Sequence, residues 1–295
     1  IVFDLEWNQS PGGKKYSNSR LPFEIIEIGA VKMNEQREVL DVFQRLVKPQ
    51  VYNWIHDSIH EVIHVDYKDL ADGVPFPQAV EEFLDWCGEE RVFCTWGNQD
   101  VMELQRNMKY YGLLSKIKGP VTYYDAQKIY GICYKEDPCR RSLEYAIDKM
   151  RLPKAQEFHR ALTDAKYTGE IFKRLDMQVV LANPSIDVYQ NPKTRKEEIY
   201  LSYPNYDEYV SREFAEKEKV IKDREVASTR CPVCHLPAKR KIRWFMNNSR
   251  AYESVSFCQN TGYIKGKVRI RHPDEVDFYA NKPFTRIAEE KSQEL

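Results

Sequence analysis

The first seven residues of the chain, IVFDLEW, combine strand-forming side chains with two carboxylates. β-Branched and aromatic residues favour a buried strand, and side chains alternate across a strand. Asp4 and Glu6 therefore share one face, and Phe3 and Leu5 share the other. Two neighbouring carboxylates in an apolar strand repel each other and lose hydration, which a cation between them would offset. A solvent-facing edge strand is the alternative that this segment alone leaves open.

A third carboxylate stands at a predicted junction between a strand and a helix. Residues 91–96 predict a short strand that ends at Gly97, and Asn98 can cap a helix that runs to about residue 111. Asp100 then lies in the first helical turn. An acidic side chain there also complements the helix dipole without any further role, so this position is ambiguous when taken alone.

A histidine and a fourth carboxylate begin a later helix. In the stretch HRALTDAKYTGEIFKRL, apolar residues recur at helical spacing, with His159 just ahead of the helix and Asp164 in its opening turns. The positive end of a helix disfavours the imidazolium, so a neutral base would be available near pH 7. A hydrogen-bonded structural histidine is the alternative.

In this order, the three segments resemble the DEDDh branch of the 3′-to-5′ exonucleases, which share an RNase H-like fold. The resemblance covers residues 1–176, and the expected residue type stands at all five functional positions. In addition, EIIEIGAVKMN follows as the family's second strand does, and SLEYAIDKMRL precedes the histidine segment as its usual helix does. Spacing and the segment FPQAVEEFLDWC are more similar to the histone-mRNA 3′-end and sporulation-inhibitor-like exonucleases than to polymerase proofreading subunits.

The resemblance implies an α/β fold, namely an RNase H-like five-stranded mixed sheet flanked by helices. A small, β-rich, zinc-ribbon-like module would follow it. The expected strands are 1–7, 24–33, 39–48, 91–96 and 121–125. The expected helices are 77–87, 98–111, 142–150 and 161–176.

The resemblance also implies a catalytic centre. All-oxygen ligands favour hard cations, so two Mg²⁺ or Mn²⁺ ions about 4 Å apart are expected, with His159 taking the proton from the attacking water. Leu5, Trp7 and Asn8 would contact the terminal nucleotide, Trp7 by stacking on its base. Ordinary core packing is the alternative for Trp7. The implied metal ligands are Asp4, Glu6, Asp100 and Asp164.

The formal net charge is zero, but the charge is unevenly distributed. Residues 230–271 contain ten Lys or Arg and one acidic residue, Glu253, so this segment carries +9 and the remainder carries −9. Aromatic side chains are interleaved with the cations, which provides both phosphate neutralisation and stacking faces. The segment therefore predicts that the partner is a single-stranded nucleic acid.

The basic segment also contains a set of cysteines with metal-ligand spacing. Cys231 and Cys234 form a CPVC motif, and Cys258 follows after an interval that resembles a zinc ribbon. The sequence departs from that pattern at Thr261, which stands where the fourth ligand is expected. A closed structural zinc site would therefore need His235 or His272, or it would be incomplete. His235 directly follows Cys234 and is poorly placed for the same ion, so His272 is the better candidate.

A chain of 295 residues suggests about two domains. We expect an exonuclease domain over 1–176, a connector over 177–228, the basic zinc-ribbon-like module over 229–273 and a polar tail over 274–295. Within the connector, the densely charged stretch from Asp207 to Ala227 is expected to form a solvent-facing helix. Seven cysteines, an odd count, point to a reducing cytoplasm rather than a disulfide framework. No apolar run approaches the roughly 20 residues needed to cross a bilayer, so no membrane partner is expected. The sequence indicates no particular protein partner.

These features predict a metal-dependent 3′-to-5′ exonuclease that releases nucleoside 5′-monophosphates, with RNA ahead of DNA as substrate. The second hypothesis is a nuclease-like scaffold that binds nucleic acid or a regulatory protein without cleaving. Its signature would be a lost carboxylate, and none is lost. A phosphatase or glycosyltransferase could also use the D-x-E strand, but would leave Asp100, His159 and Asp164 without a common role.

Overall fold

The chain folds into two compact units, Ile1–Gln190 and Asn191–Leu295. A computed structural model describes residues 1–54, 70–136, 140–154, 159–247, 251–271 and 278–287. The boundary lies later than the expected end of the exonuclease domain at residue 176, because the segment Ser185–Asp187 pairs with the sheet of the first unit. Within the described ranges, no helix is long and apolar enough to cross a membrane.

A mixed sheet forms the centre of the first unit. Its strands, in chain order, are β1 (Val2–Gln9), β2 (Phe23–Met33), β3 (Val39–Leu46), β4 (Phe93–Thr95), β5 (Val121–Asp125) and β6 (Ser185–Asp187). The spatial order is β3-β2-β1-β4-β5-β6, in which β1, β4 and β5 are parallel and the other pairings are antiparallel. The predicted RNase H-like arrangement of five strands is confirmed. The sixth strand was not predicted, because three residues are too few to show a period of two.

Six helices of the first unit are described: α1 (Phe76–Cys87), α2 (Gln99–Tyr110), α3 (Ala126–Cys133), α4 (Leu143–Lys149), α5 (Ala161–Phe172) and α6 (Met177–Ala182). Helices α1, α2, α4 and α5 correspond to the predicted ones. Apolar residues recur at helical spacing in α1, whose Phe76, Val80 and Phe83 are buried in the core. Helices α3 and α6 were not predicted, since a helix of eight or six residues offers barely two turns of pattern.

Helix α5 crosses the sheet at a glycine. A Cβ placed on Gly29 of β2 would lie 2.0 Å from the backbone nitrogen of Leu162 and 2.1 Å from the carbonyl carbon of Ala161. Only a residue without a side chain permits so close an approach of two backbones. Since Gly29 is paired with Asp4 in the β1–β2 register, this crossing fixes the start of α5 beside the carboxylates of β1.

The second unit is built on an antiparallel sheet. Its strands are β7 (Ile199–Ser202), β8 (Tyr206–Val210), β9 (Lys239–Met246), β10 (Tyr252–Cys258), β11 (Gly262–Arg271) and β12 (Tyr279–Arg286). The spatial order is β7-β8-β12-β11-β10-β9. Two short helices, α7 (Lys217–Lys222) and α8 (Arg224–Ala227), contribute Val220 and Val226 to the apolar core of this unit.

The predicted charged helix of the connector is wrong in its first part. Residues Tyr206–Val210 form β8, along which Tyr209 is completely buried. Helical structure begins only at Lys217, and Asp223 divides it by capping α8 through the backbone N–H groups of Glu225 and Val226. The dense charges in the sequence predicted a solvated helix. The segment forms a strand instead because it pairs with β12, which is distant in the sequence.

The predicted polar tail is also wrong over the residues that the structure describes. Strand β12 lies between β8 and β11 in the sheet. Its Lys282 is completely buried, and Nζ donates to the carbonyl oxygens of Glu225, Val226 and Ser228 at 2.6, 2.9 and 3.0 Å. A lysine can be buried only where such acceptors receive its donors, and the sequence of β12 does not reveal them.

Candidate active site

Three of the predicted carboxylates converge at one face of β1. Asp4 and Glu6 of β1 and Asp164 of α5 each offer an oxygen atom, and these atoms lie within 4.8 Å of one another. Phe3 and Leu5, which point to the opposite face, are buried in the core. Strand alternation and the position of α5 together bring residues 160 positions apart into one acidic group.

Asp100 lies next to this group rather than inside it. Its Oδ1 accepts a hydrogen bond from the backbone nitrogen of Leu5 at 3.2 Å, which ties the first turn of α2 to β1. Asn98 is the residue before this helix, as predicted, but its side chain makes no capping hydrogen bond. Asp100 lines the same cleft as Asp4, Glu6 and Asp164.

Burial and mutual repulsion disfavour the charged form of the four carboxyl groups unless a cation balances their charge. Burial, followed by repulsion from its neighbours, raises the pKa of Glu6 to about 8. Burial likewise raises the pKa of Asp100 to about 7 and that of Asp164 to about 6, and raises the pKa of Asp4 well above its ordinary value. Oδ1 of Asp164 is buried and has no hydrogen-bond partner among the described residues. A buried, unpartnered oxygen within such a group is suited to ligating a divalent cation.

His159 precedes α5 in a strained backbone conformation. Its φ of 63° lies in the left-handed region, which side chains with a Cβ seldom adopt. The backbone nitrogen of His159 donates to Oδ2 of Asp164 at 3.2 Å, so the carboxylate helps to hold this conformation. The exposed imidazole lines the cleft. Strained residues of this kind cluster at functional sites.

An ion pair that the sequence did not predict supports the histidine segment. Arg160 donates from Nε and Nη2 to the two oxygens of Glu27 at 3.1 and 3.2 Å. Glu27 is 1% exposed and lies directly opposite Glu6 in the β1–β2 register. This bidentate pair anchors the residue next to His159 on β2 and also neutralises a fifth carboxylate beside the site.

The residues predicted to contact the substrate have different environments. Leu5 and Trp7 line the cleft, although Leu5 is buried in the core and Trp7 is half-buried and also packs against the core. Asn8 is completely buried, and its amide donates to the carbonyl oxygens of Tyr52 and Trp54. A register shift of β1 between Glu6 and Trp7 alters the alternation at this point, and Asn8 does not line the described cleft. Its contacts favour a structural role.

The cleft itself has a volume of about 390 Å³. The carboxylates lie on one side, and residues from the β4–α2 junction, α3 and the segment before α4 complete the lining. Sequence analysis did not identify these further lining residues, because they carry no motif of their own. They are Trp96, Gly97, Gln99, Gln127 and Arg140.

The second unit contains a separate cysteine group. The sulfur atoms of Cys231, Cys234 and Cys258 lie within 4.8 Å of one another, and those of Cys234 and Cys258 are 3.5 Å apart. The hydroxyl of Thr261 is 3.0 Å from the Cys231 sulfur. A hydrogen bond from Thr261 lowers the pKa of Cys258 to about 6, which favours the thiolate at neutral pH.

Neither histidine considered for this group is among its members. Nδ1 of His235 lies 3.4 Å from a carboxylate oxygen of Asp207, so this imidazole is engaged elsewhere. His272 lies outside the described residues. The position three residues after Cys258 is therefore filled by Thr261, as the sequence indicated.

Known proteins resemble the first unit in both sequence and fold. Residues 1–172 match the sequence profile of the RNase_T exonuclease family. The PolC-type DNA polymerase III of Caldanaerobacter subterraneus subsp. tengcongensis is 27% identical over 177 residues, which are 59% of this chain and 11% of the polymerase. This chain thus spans only a small part of that relative.

Solved structures provide the corresponding comparison of folds. The nuclease domain of 3′hExo, a DEDDh family member bound to rAMP, is 21% identical and superposes with a TM-score of 0.51 over 62% of this chain and 94% of its own. Cell-death related nuclease 4 (CRN-4) is 19% identical, with a TM-score of 0.48 over 62% of this chain and 64% of its own. The RNase_T profile covers more than half of the chain, and the chain therefore belongs to this family of exonucleases, which generally use divalent metal ions.

Proposed function

We propose that this protein is a metal-dependent 3′-to-5′ exonuclease of the DEDDh type that acts on single-stranded nucleic acid. The observation that carries the proposal is the convergence of Asp4, Glu6 and Asp164 within 4.8 Å in a chain of the exonuclease family. Asp100 and His159 line the same cleft and complete the five-residue set.

Each of the five side chains has a distinct role in this proposal. The four carboxylates would hold two Mg²⁺ or Mn²⁺ ions, which when bound would supply the positive charge that activates water and stabilises the leaving 3′-oxygen. His159 takes the proton from the attacking water, for which an exposed imidazole at the cleft is accessible. Trp7 offers a ring face to the terminal base. The product is a nucleoside 5′-monophosphate.

The second unit has a surface of its own that is suited to a nucleic acid strand. Lys265, Lys267, Arg269 and Arg271 alternate with apolar residues along β11, so the four cations share one face. Of the residues between them, Val268 is buried in the core on the other face and Ile270 packs against it. Lys265 and Lys267 lie 2.9 and 3.7 Å from the carboxylate of Glu253, whereas Arg269 and Arg271 are exposed. A row of cations suits the evenly spaced charges of a phosphate backbone and requires no particular base sequence.

RNA is the substrate that we place ahead of DNA. The segment that forms α1 supports assignment to the histone-mRNA 3′-end and sporulation-inhibitor-like branch, as does the likeness in fold to a nuclease domain bound to rAMP. The similarity to a DNA polymerase subunit keeps DNA as the competing substrate.

An end-labelled strand tests this proposal. With a 5′ label, we expect single-stranded RNA to shorten one nucleotide at a time in Mg²⁺ or Mn²⁺, to shorten faster than DNA of the same sequence, and to stay intact in EDTA. Thin-layer chromatography of uniformly labelled RNA should show nucleoside 5′-monophosphates. If neither RNA nor DNA is degraded, the non-cleaving scaffold is the better description.

We also propose that the cysteine group binds a structural Zn²⁺ in a zinc-ribbon-like module. A tetrahedral ion with Zn–S bonds of about 2.3 Å places its sulfur ligands about 3.8 Å apart. The distance of 3.5 Å between the sulfurs of Cys234 and Cys258 is close to this value. Thr261 lies at the fourth position, where its hydroxyl or a water molecule would complete the coordination.

Measuring the zinc content distinguishes a zinc site from three cysteines that pack together without a metal. We expect about one zinc ion per chain to remain after extensive dialysis, and Cys231→Ser to lose the zinc together with several degrees of thermal stability. Cys133→Ser is the matched control, because this cysteine of α3 lies outside the group. Dialysed wild-type protein that retains no zinc would refute the site.

A further inference from the structure

The cleft contains a cation for which the proposed mechanism has no role. Arg140 is the only basic side chain of the Lys or Arg type among the described residues that line the cleft. It lies three residues before the start of α4 and close to Asp125 at the end of β5. A guanidinium in an acidic cleft has two explanations. It can balance charge within the protein, or it can contact an anionic part of the substrate.

Two partners fix the guanidinium in place. Nη1 of Arg140 donates to Oε1 of Gln127 at 3.1 Å and lies 3.5 Å from Oδ2 of Asp125. Both partners are themselves held: Oδ1 of Asp125 accepts from the backbone nitrogen of Lys128, and the Gln127 amide donates to the carbonyl oxygen of Arg141. Asp125 is 2% exposed, so the carboxylate partner of Arg140 is buried.

The remaining donors of Arg140 are available. Both contacts use Nη1, while Nε and Nη2 have no hydrogen-bond partner among the described residues. The side chain is 55% exposed. Beside it, Gly97 has a φ of 103°, and a Cβ there would lie 3.9 Å from Nη1, so a residue without a side chain keeps this part of the cleft open. One edge of the guanidinium is thus anchored, and the other is free to receive a ligand.

We propose that Arg140 binds a non-scissile phosphate of the substrate strand, with Asp125 and Gln127 as its positioning residues. An anchored guanidinium presents parallel N–H donors that match two phosphate oxygens. This inference rests on the proposed exonuclease function, because it assumes that a nucleic acid strand occupies the cleft.

The sheet topology indicates that the bound phosphate is not the scissile one. Asp4 and Glu6 lie on β1, and Asp125 ends β5, with β4 between them. Two strand spacings amount to about 10 Å. The scissile phosphate belongs at the carboxylates, so Arg140, anchored at β5, is placed to contact a neighbouring phosphate.

Neutral linkages test this contact directly. Single-stranded oligonucleotides would carry one methylphosphonate in turn at each of the first three linkages on the 5′ side of the scissile bond. For the wild type we expect about a tenfold loss in kcat/KM at one of these positions, as for a lost charge-assisted hydrogen bond. For Arg140→Ala we expect kcat/KM on the all-phosphate strand to be about tenfold below that of the wild type. A methylphosphonate at the sensitive linkage should cause no further loss in this variant. Arg140→Lys should retain part of the discrimination.

Controls separate this role from a structural one. Arg45→Ala removes a guanidinium that pairs with Glu82 outside the cleft, and it should leave kcat/KM and its sensitivity to methylphosphonate unchanged. Thermal unfolding of every variant would be measured in parallel. If Arg140→Ala fails to fold, Arg140→Lys replaces it in the comparison. Equal methylphosphonate losses in the wild type and the Arg140 variant at all three positions would overturn the proposal.

The same comparison can be made without turnover. Fluorescence anisotropy in Ca²⁺ measures the affinity for each strand, and the same tenfold coupling between Arg140 and one linkage is expected. A wild type that binds but does not cleave would overturn the proposed function. The anisotropy measurements would then still decide whether Arg140 contacts a phosphate.

Discussion

Asp164→Asn is expected to reduce nucleotide release by about 10³-fold, the upper end of the range for removing one preorganised electrostatic contact. The amide keeps the size of the side chain and can still accept the hydrogen bond from the backbone of His159. The substitution removes the negative charge that Asp164 contributes to the acidic group with Asp4 and Glu6. Release of label from the 3′ end of a single-stranded RNA measures the effect.

Although Asp164→Asn should lose activity, we expect the metal-free variant to be at least as stable as the metal-free wild type. Burial raises the pKa of Asp164 to about 6, which means that folding disfavours its ionised form in the metal-free protein. At pH 7 and in EDTA, Asp164→Asn removes this penalty, so its melting temperature should equal or exceed that of the wild type. At pH 4, where Asp164 is protonated in the folded protein, this advantage of the variant should largely disappear.

Two further variants define the specificity of this result. Asp148→Asn changes an exposed carboxylate of α4 that pairs with Lys154, and it should retain full activity. His159→Ala should lose about 10²- to 10⁴-fold, as for a general base. Full activity in either Asp164→Asn or His159→Ala would exclude the proposed centre.

The carboxylates of the cleft could be predicted because each stands in a local pattern. Asp4 and Glu6 follow the alternation of one strand, and Asp164 follows the start of one helix. The supporting residues have no such pattern. Glu27 and Arg160 are 133 positions apart, and their pairing depends on where α5 crosses β2. Sequence patterning therefore identified the converging carboxylates but not the ion pair beside them.

The second unit was predicted less completely for a related reason. Cys231, Cys234 and Cys258 share a recognisable spacing, and the fold brings them together. Strand β12, in contrast, contains buried Lys282 and a proline, which read as a polar segment. Its place inside the sheet depends on pairing with β8 and β11, and pairing between distant segments leaves little trace in local composition.

Gly29→Ala should destabilise the protein by about 3 kcal/mol or more, at the upper end of overpacking effects. The added methyl group would meet the backbone of α5 at 2.0 Å, and a backbone cannot rotate aside as a side chain can. Helix α5 must therefore move away from β2. That movement separates Asp164 from Asp4, which is paired with Gly29, so activity should fall together with stability.

A second glycine of the same region provides the matched control. Gly169 lies within α5, and the nearest atom to a Cβ there is the sulfur of Met33 at 3.7 Å, an ordinary contact. Gly169→Ala should therefore stabilise the helix by about 0.5–1 kcal/mol and leave activity unchanged. Urea unfolding and exonuclease assays of both variants measure the contrast. Equal stability of the two variants would mean that the crossing at Gly29 does not fix the distance between β1 and α5.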